Sequence, residues 1–260
     1  MIIITKNRCH FDFRYNELIM DEATAANIIR WYQGLEEKVV EFLKYIPPQN
    51  ENMTIWSPQL ATVIVEACAI IDSLFFYITP PRVTVRGKEK DRDKLSILEY
   101  AELYSAEFAL PKRQIIFLAS PPSYRNPFDI WANKDSGSFP STPWWSVNND
   151  LKHDRITNFQ RASMRIAIDA LAGSLLIIAK VMVKVPELLR VALRYGLLDL
   201  GGWNPEAFLE ILHSGNEGRM LETSLFALWL GNWDLPEDIN DFSPARHHGS
   251  KRLLAFFGKF

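Results

Sequence analysis

Ile166-Ala167-Ile168-Asp169-Ala170-Leu171-Ala172-Gly173-Ser174-Leu175-Leu176-Ile177-Ile178-Ala179-Lys180-Val181-Met182-Val183 is the most sustained apolar run of the chain. Asp169 and Lys180 interrupt it, leaving Ala170 to Ala179 as the longest uncharged stretch. That is about ten residues, against the roughly twenty that span a bilayer, so the run reads as a buried core helix. Upstream stands Pro143-Trp144-Trp145-Ser146-Val147-Asn148-Asn149-Asp150-Leu151-Lys152-His153-Asp154-Arg155. Together the two predict one long helix over residues 146–183, polar at its mouth and buried in its second half. Leu171, Leu175 and Ile178 are expected at the centre of the core.

Other helices surround it. Asp21-Glu22 opens a pattern in which Ala26, Ile28, Ile29, Leu35, Val39, Phe42 and Leu43 recur at helical spacing, and Pro47-Pro48 ends it. Ser57-Pro58 is a cap followed by proline at the first helical position. The second helix runs from there to about Ile78. A third is expected from about Lys94 to Phe108, and shorter ones from Pro186 to Tyr195 and from Asn204-Pro205 to about His213. Ile115 to Leu118 is too short for a helix and reads as a strand or a core-facing extended segment. The charged segment 82–94 reads as an exposed linker. Residues 120–146, with five Pro and several Ser and Asn, read as a long ordered loop over the helices.

The predicted fold is therefore mainly α: a helical bundle with a long ordered loop and an irregular C-terminal extension. Residues 1–20 form an N-terminal arm, 21–185 the bundle and 186–260 the extension. With 260 residues the chain has ample length for a core, and a net charge of −2 leaves no global basic footprint for nucleic acid. A local basic patch would suffice for RNA. The two cysteines, Cys9 and Cys68, have no zinc or redox spacing. No metal or other cofactor is expected. His247-His248 lacks spaced partners and reads as tail. No signal peptide or membrane span is read, and a cytoplasmic location is expected.

Polar groups at the mouth of a buried helix are costly unless partnered. On a helix, Asn149 and His153 are four apart and share a face, with Asn148, Lys152 and Arg155 on a neighbouring stripe. Histidine suits proton transfer near neutrality, and Lys and Arg suit phosphate. So His153 is a candidate acid/base, Asn149 its orienting partner, and Lys152 with Arg155 candidate phosphate ligands. The bland alternative is structural: Asn148 bridging to the loop, His153 donating to a carboxylate, Asp154 and Arg155 on a solvated face. Trp144 and Trp145 either stack bases or pack the loop onto the helices. Glu66 and Asp72, carboxylates in an apolar helix, call for partners, with Lys152, His153, Arg155 and Arg161 as candidates.

Val65-Glu66-Ala67-Cys68-Ala69-Ile70-Ile71-Asp72-Ser73 in the second helix, with the Trp144 to Arg155 motif and Ala167 to Gly173 behind it, resembles the HEPN-like helical families of prokaryotes. The resemblance covers roughly residues 22–185. It implies a role in RNA metabolism, stress response or defence, a metal-independent endoribonuclease of the toxin kind, and a homodimer whose two polar motifs face one cleft. The implied partners are RNA and an antitoxin or other protein. The family's usual motif is Arg, then four to six intervening residues, then His; here Asn148 and Val147 stand at that spacing ahead of His153. Lys152, Asn148 and Trp145 are the candidate substrate and phosphate contacts of this site. The alternative is a non-catalytic helical module that binds a protein partner or a nucleotide through the same polar mouth.

Overall fold

The computed structural model describes residues 20–119, 122–134, 138–197 and 219–230. The fold is mainly α. Helix α1 spans Glu22–Tyr45, with the Asp21 side chain accepting from the Thr24 amide at its start. Helix α2 spans Pro58–Ile78, capped by Ser57, which accepts from the Leu60 amide. Both follow the expected limits, because a capping side chain and a proline fix each end locally.

The long helix expected over residues 146–183 is instead three pieces. Helix α4 covers Pro143–His153, α5 Arg155–Asn158 and α6 Met164–Met182. Asp154 leaves helical geometry (φ −148°, ψ 90°) and its carboxylate accepts from the Thr157 amide, so it caps α5 rather than continuing α4. Ser163 does the same for α6, accepting from the Ile166 amide. Both residues offer the backbone a local hydrogen bond that competes with the helical one. The stretch between them buries only Ala162 fully, with Phe159 packed part-buried on the core, too little of an apolar face to hold one continuous helix in place. Within α6 the expected burial stands: Leu171, Leu175 and Ile178 are inaccessible.

Helix α2 shares its most extensive interface with α6, while α1 and α4 pack on its other sides and α7 (Pro186–Arg194) lies on α1. Helix α3 is shorter than expected, Ile97–Tyr104, opened by a reciprocal capping box between Ser96 and Glu99. Segment 82–94 is no linker but chiefly a hairpin, β1 (Arg82–Val85) against β2 (Lys88–Asp91). Val83 and Val85 face inward, and Arg86-Gly87 turns the corner with both φ values positive (53° and 75°), a geometry favoured in two-residue hairpins.

A second sheet has the order β4-β3-β6-β5, all antiparallel. Strand β3 is Ile115–Phe117, as the sequence suggests, and β4 is Ser123–Arg125. Strands β5 (Arg219–Glu222) and β6 (Phe226–Leu230) come from the region expected to be an irregular extension. Strands from both sides of position 186 therefore share one sheet. The long loop is tied down by tryptophans: Trp131 donates to the Pro140 carbonyl at 3.0 Å and Trp144 to the Pro127 carbonyl at 2.8 Å. Residues 1–19 of the expected arm 1–20, the helix expected over 204–213, Cys9 and His247-His248 lie outside the described residues.

Among the described residues one helix, α2, is long and apolar enough by length and composition to cross a membrane, and more than half of it is buried within the protein.

Candidate functional site

The polar mouth is the C-terminal half of α4 and the α4–α5 corner. Pro143 starts the helix, and the next residues seat it. Trp144 is buried, its ring edge-on to Phe128 (5.4 Å) and to Trp145 (6.0 Å). Gly173 of α6 lies beneath it; a Cβ there would stand 3.4 Å from the Trp144 ring. Trp145 is 8% exposed, so almost none of its ring remains for stacking a base. The packing reading of the tryptophan pair holds, and the base-stacking role does not.

One turn further, Asn148 is completely buried, and neither its amide nitrogen nor its oxygen finds a hydrogen-bond partner among the described residues. It is a member of the buried stripe with Trp144, Val147 and Leu151. A surface phosphate cannot reach it. A buried amide with both ends unpaired is costly, and such a group calls for a water or a ligand.

Lys152, His153 and Arg155 are all exposed, as is Asn149. His153 closes α4 and makes no hydrogen bond or ion pair with the described residues; Asn149 does not reach it as an orienting partner. The Lys152 ammonium stands 5.9 Å from the centre of the Trp145 ring. The corner itself is braced. Arg161 pairs with Asp150, and the Asn158 amide donates to the carbonyls of Asp154 (2.8 Å) and Asp150 (3.3 Å). The Thr157 hydroxyl and amide hold the Asp154 carboxyl below its ordinary range. Local hydrogen bonds thus brace the backbone that carries Lys152, His153 and Arg155.

The expected ion pair between α2 and α4 is not formed at contact distance. Glu66 turns the other way and accepts from the Trp31 indole of α1 at 2.9 Å. Asp72 is pushed up by burial, an effect that the Lys152 charge partly offsets. The same lysine acts on the buried Cys68 thiol, which burial pushes well above its usual value. Asp72 therefore has the cationic neighbour that its position demands, at longer range than a salt bridge. Arg161 is committed to Asp150 and is no partner for either carboxylate.

A second polar locus went unassigned in the sequence reading. Asp169, the charge inside the apolar run, lies 3.7 Å from the Arg125 guanidinium of β4. Burial pushes its carboxyl up to about 6, with Arg125 and Arg165 working in the opposite direction. A charge within an apolar helix was the available signal. Its partner sits on a strand distant in sequence, so spacing could not find it. Lys180, the other interruption, is pushed down to about 8 by burial and by the nearby Arg113.

Comparison with protein-family models, curated proteins and solved structures finds no match to the chain.

Proposed function

We propose that the chain is an RNA-directed, HEPN-like protein acting as a metal-independent endoribonuclease in RNA metabolism, stress response or defence. The observation that carries this reading is the exposed His153 at the end of a braced helix, flanked by exposed Lys152 and Arg155. A buried histidine held by a carboxylate would have pointed to a structural role.

The chemistry is phosphoryl transfer within RNA. His153 takes the proton of a 2′-hydroxyl, and the oxygen attacks the adjacent phosphorus. Lys152 and Arg155 hold the non-bridging oxygens as negative charge builds on them. The 5′-oxygen leaves with a proton, giving a 2′,3′-cyclic phosphate. One imidazole per chain supplies one proton-transfer group, so a homodimer that faces two such corners across one cleft would provide both the base and the acid. An antitoxin or other protein partner would cover the same corner.

The test is cleavage of RNA by purified wild-type protein in the presence of EDTA, beside His153→Ala, with growth and RNA integrity scored in expressing cells. Loss of the imidazole should lower the rate by about two to four decades, with the unfolding midpoint unchanged because the side chain is exposed. Undiminished cleavage by His153→Ala would overturn the mechanism. Cleavage lost to chelator would show that a metal carries the reaction.

One observation favours the second reading, a non-catalytic module for a partner or nucleotide. Asn148 keeps an unpaired amide behind the corner, and a bound polar group that satisfied it would give affinity without turnover. Clean wild-type protein that leaves RNA intact yet binds it would favour that module.

A further inference from the structure

Away from the α4–α5 corner the chain encloses a cleft of about 470 Å³. One wall is the turn that follows α1, including Gln49, Asn50 and Glu51. The other is formed by β3 and β4, with Phe117, Tyr124 and Arg125, and Arg165 from the first turn of α6 closes one side. The walls are tied together. The Met164 amide donates to the Ile55 carbonyl at 2.8 Å, and Trp56 pairs with Ser163 in an isolated β-bridge. The volume lies in the range of small-molecule sites.

The polar content of this cleft is unusual for a purely structural gap. The Arg125 side chain is only 15% exposed, and its Nε is buried with no hydrogen-bond partner. Among the described residues its one ion-pair neighbour, Asp169, stays at 3.7 Å, beyond hydrogen-bond length. Guanidinium carries five N–H donors in a planar fork, and here the described residues leave them largely unspent. Phe117 lies under the same group, with its ring centre 5.7 Å away, which confines the direction of the fork. Arg165 adds a second cation that forms no ion pair with the described residues. The start of α6 contributes further positive potential as the N-terminal end of the helix dipole. Among the described residues, Glu51 is the one carboxylate on the lining.

We infer that this cleft binds a phosphate-bearing small molecule of nucleotide size, with Arg125 and Arg165 as its phosphate ligands. Two guanidinium groups set around one cavity match the tetrahedral oxygens of a phosphate, and Asn50 and Gln49 offer amide groups for the remainder of such a ligand. Asp169 acts through Arg125, as the positioning residue that holds the fork toward the cavity. The inference stands apart from the RNA reading, because none of these residues belongs to the α4–α5 corner.

The test is calorimetric titration of the full chain with inorganic phosphate, pyrophosphate and AMP, for wild type, Arg125→Gln, Arg125→Lys, Arg165→Gln and His153→Ala. Wild type and His153→Ala should bind at least one of the three alike. Arg125→Gln and Arg165→Gln should weaken that binding about tenfold or more. Arg125→Lys keeps the charge and loses the fork, so it should also weaken binding. Tighter binding of AMP than of phosphate identifies a nucleotide, and the reverse order identifies free phosphate as the source. Arg165 is on the surface, so its variant tests the site even if Arg125→Gln fails to fold. The inference is overturned if wild type binds none of the three, or if Arg165→Gln binds as wild type does.

Discussion

Replacing Asp169 by Asn should stabilise the protein at neutral pH. The carboxyl has an ordinary value of 3.8 and is pushed up to about 6 in the fold, chiefly by burial. Arg125 and Arg165 lower it and Asp129 raises it, so the figure is what remains after its charged neighbours have acted. A raised carboxyl means that the folded chain holds a proton that the unfolded chain has released. Stability therefore falls as pH rises from about 4 to about 6, and stays low above that. At about 1.4 kcal/mol per decade of ionisation, the loss at pH 7 comes to about 3 kcal/mol. A quarter of the side chain remains open to water, which reduces the expected effect to about 2 kcal/mol. Asparagine resembles the protonated acid in size and charge, so it removes the cost of ionisation together with the negative charge that faces Arg125. Urea unfolding between pH 4.5 and 8 measures the effect. Wild type should lose stability across the lower half of that range, and Asp169→Asn should show a flatter profile and exceed wild type by about 2 kcal/mol at pH 7, or about 4–8 °C in Tm. A variant that is less stable than wild type at pH 7, with an unaltered pH profile, would refute the argument and show that the contact between Asp169 and Arg125 is net favourable.

Glu36→Ala should destabilise by about 2–4 kcal/mol in the same unfolding assay, because the buried carboxylate accepts from the Leu225 amide (3.0 Å), the Ser224 amide (3.2 Å) and the Thr223 hydroxyl. Faster amide hydrogen exchange at Ser224 and Leu225 would accompany the loss. Asp154→Ala removes the cap of α5 and should cost about 1 kcal/mol, read as a lower urea midpoint; it would also loosen the corner that directs His153, so any RNA cleavage should fall without loss of the imidazole.

Legibility tracked the range of the interactions. Helices α1, α2 and α7 and strand β3 could be read because caps, prolines and apolar spacing act within a few residues. The break between α4 and α6 was missed because the strong pattern on either side concealed Asp154 and Ser163, whose side chains favour caps. Hairpin β1–β2 was hidden by its exposed charges, which include the loose pairs of Arg82 with Asp91 and Glu89. The four-stranded sheet joins Ile115 to Leu228, and no local signal announces such a pairing. At the α4–α5 corner the exposure of Lys152, His153 and Arg155 agreed with a chemical reading, whereas the burial of Trp145 and Asn148 reflects helix packing that spacing alone did not resolve. The partner of Asp169 could be learned only from the fold.

The seating of β6 beside β3 has a consequence for how the chain comes into being. Strand β3 has β4 on one side from the outset, but its other row of backbone groups must wait until residues 226–230 leave the ribosome. Glu36 waits as well, since all of its donors but the Tyr32 hydroxyl lie in the β5–β6 turn. Through most of synthesis the nascent chain therefore carries an open apolar edge at Ile115 to Phe117 together with a carboxylate lacking most of its donors, the combination that invites pairing with a neighbouring chain. Stalled translation or proteolytic clipping ahead of β5 would strand the protein in that state, so its cellular yield should depend more on completing these late strands than on any single contact within the helices.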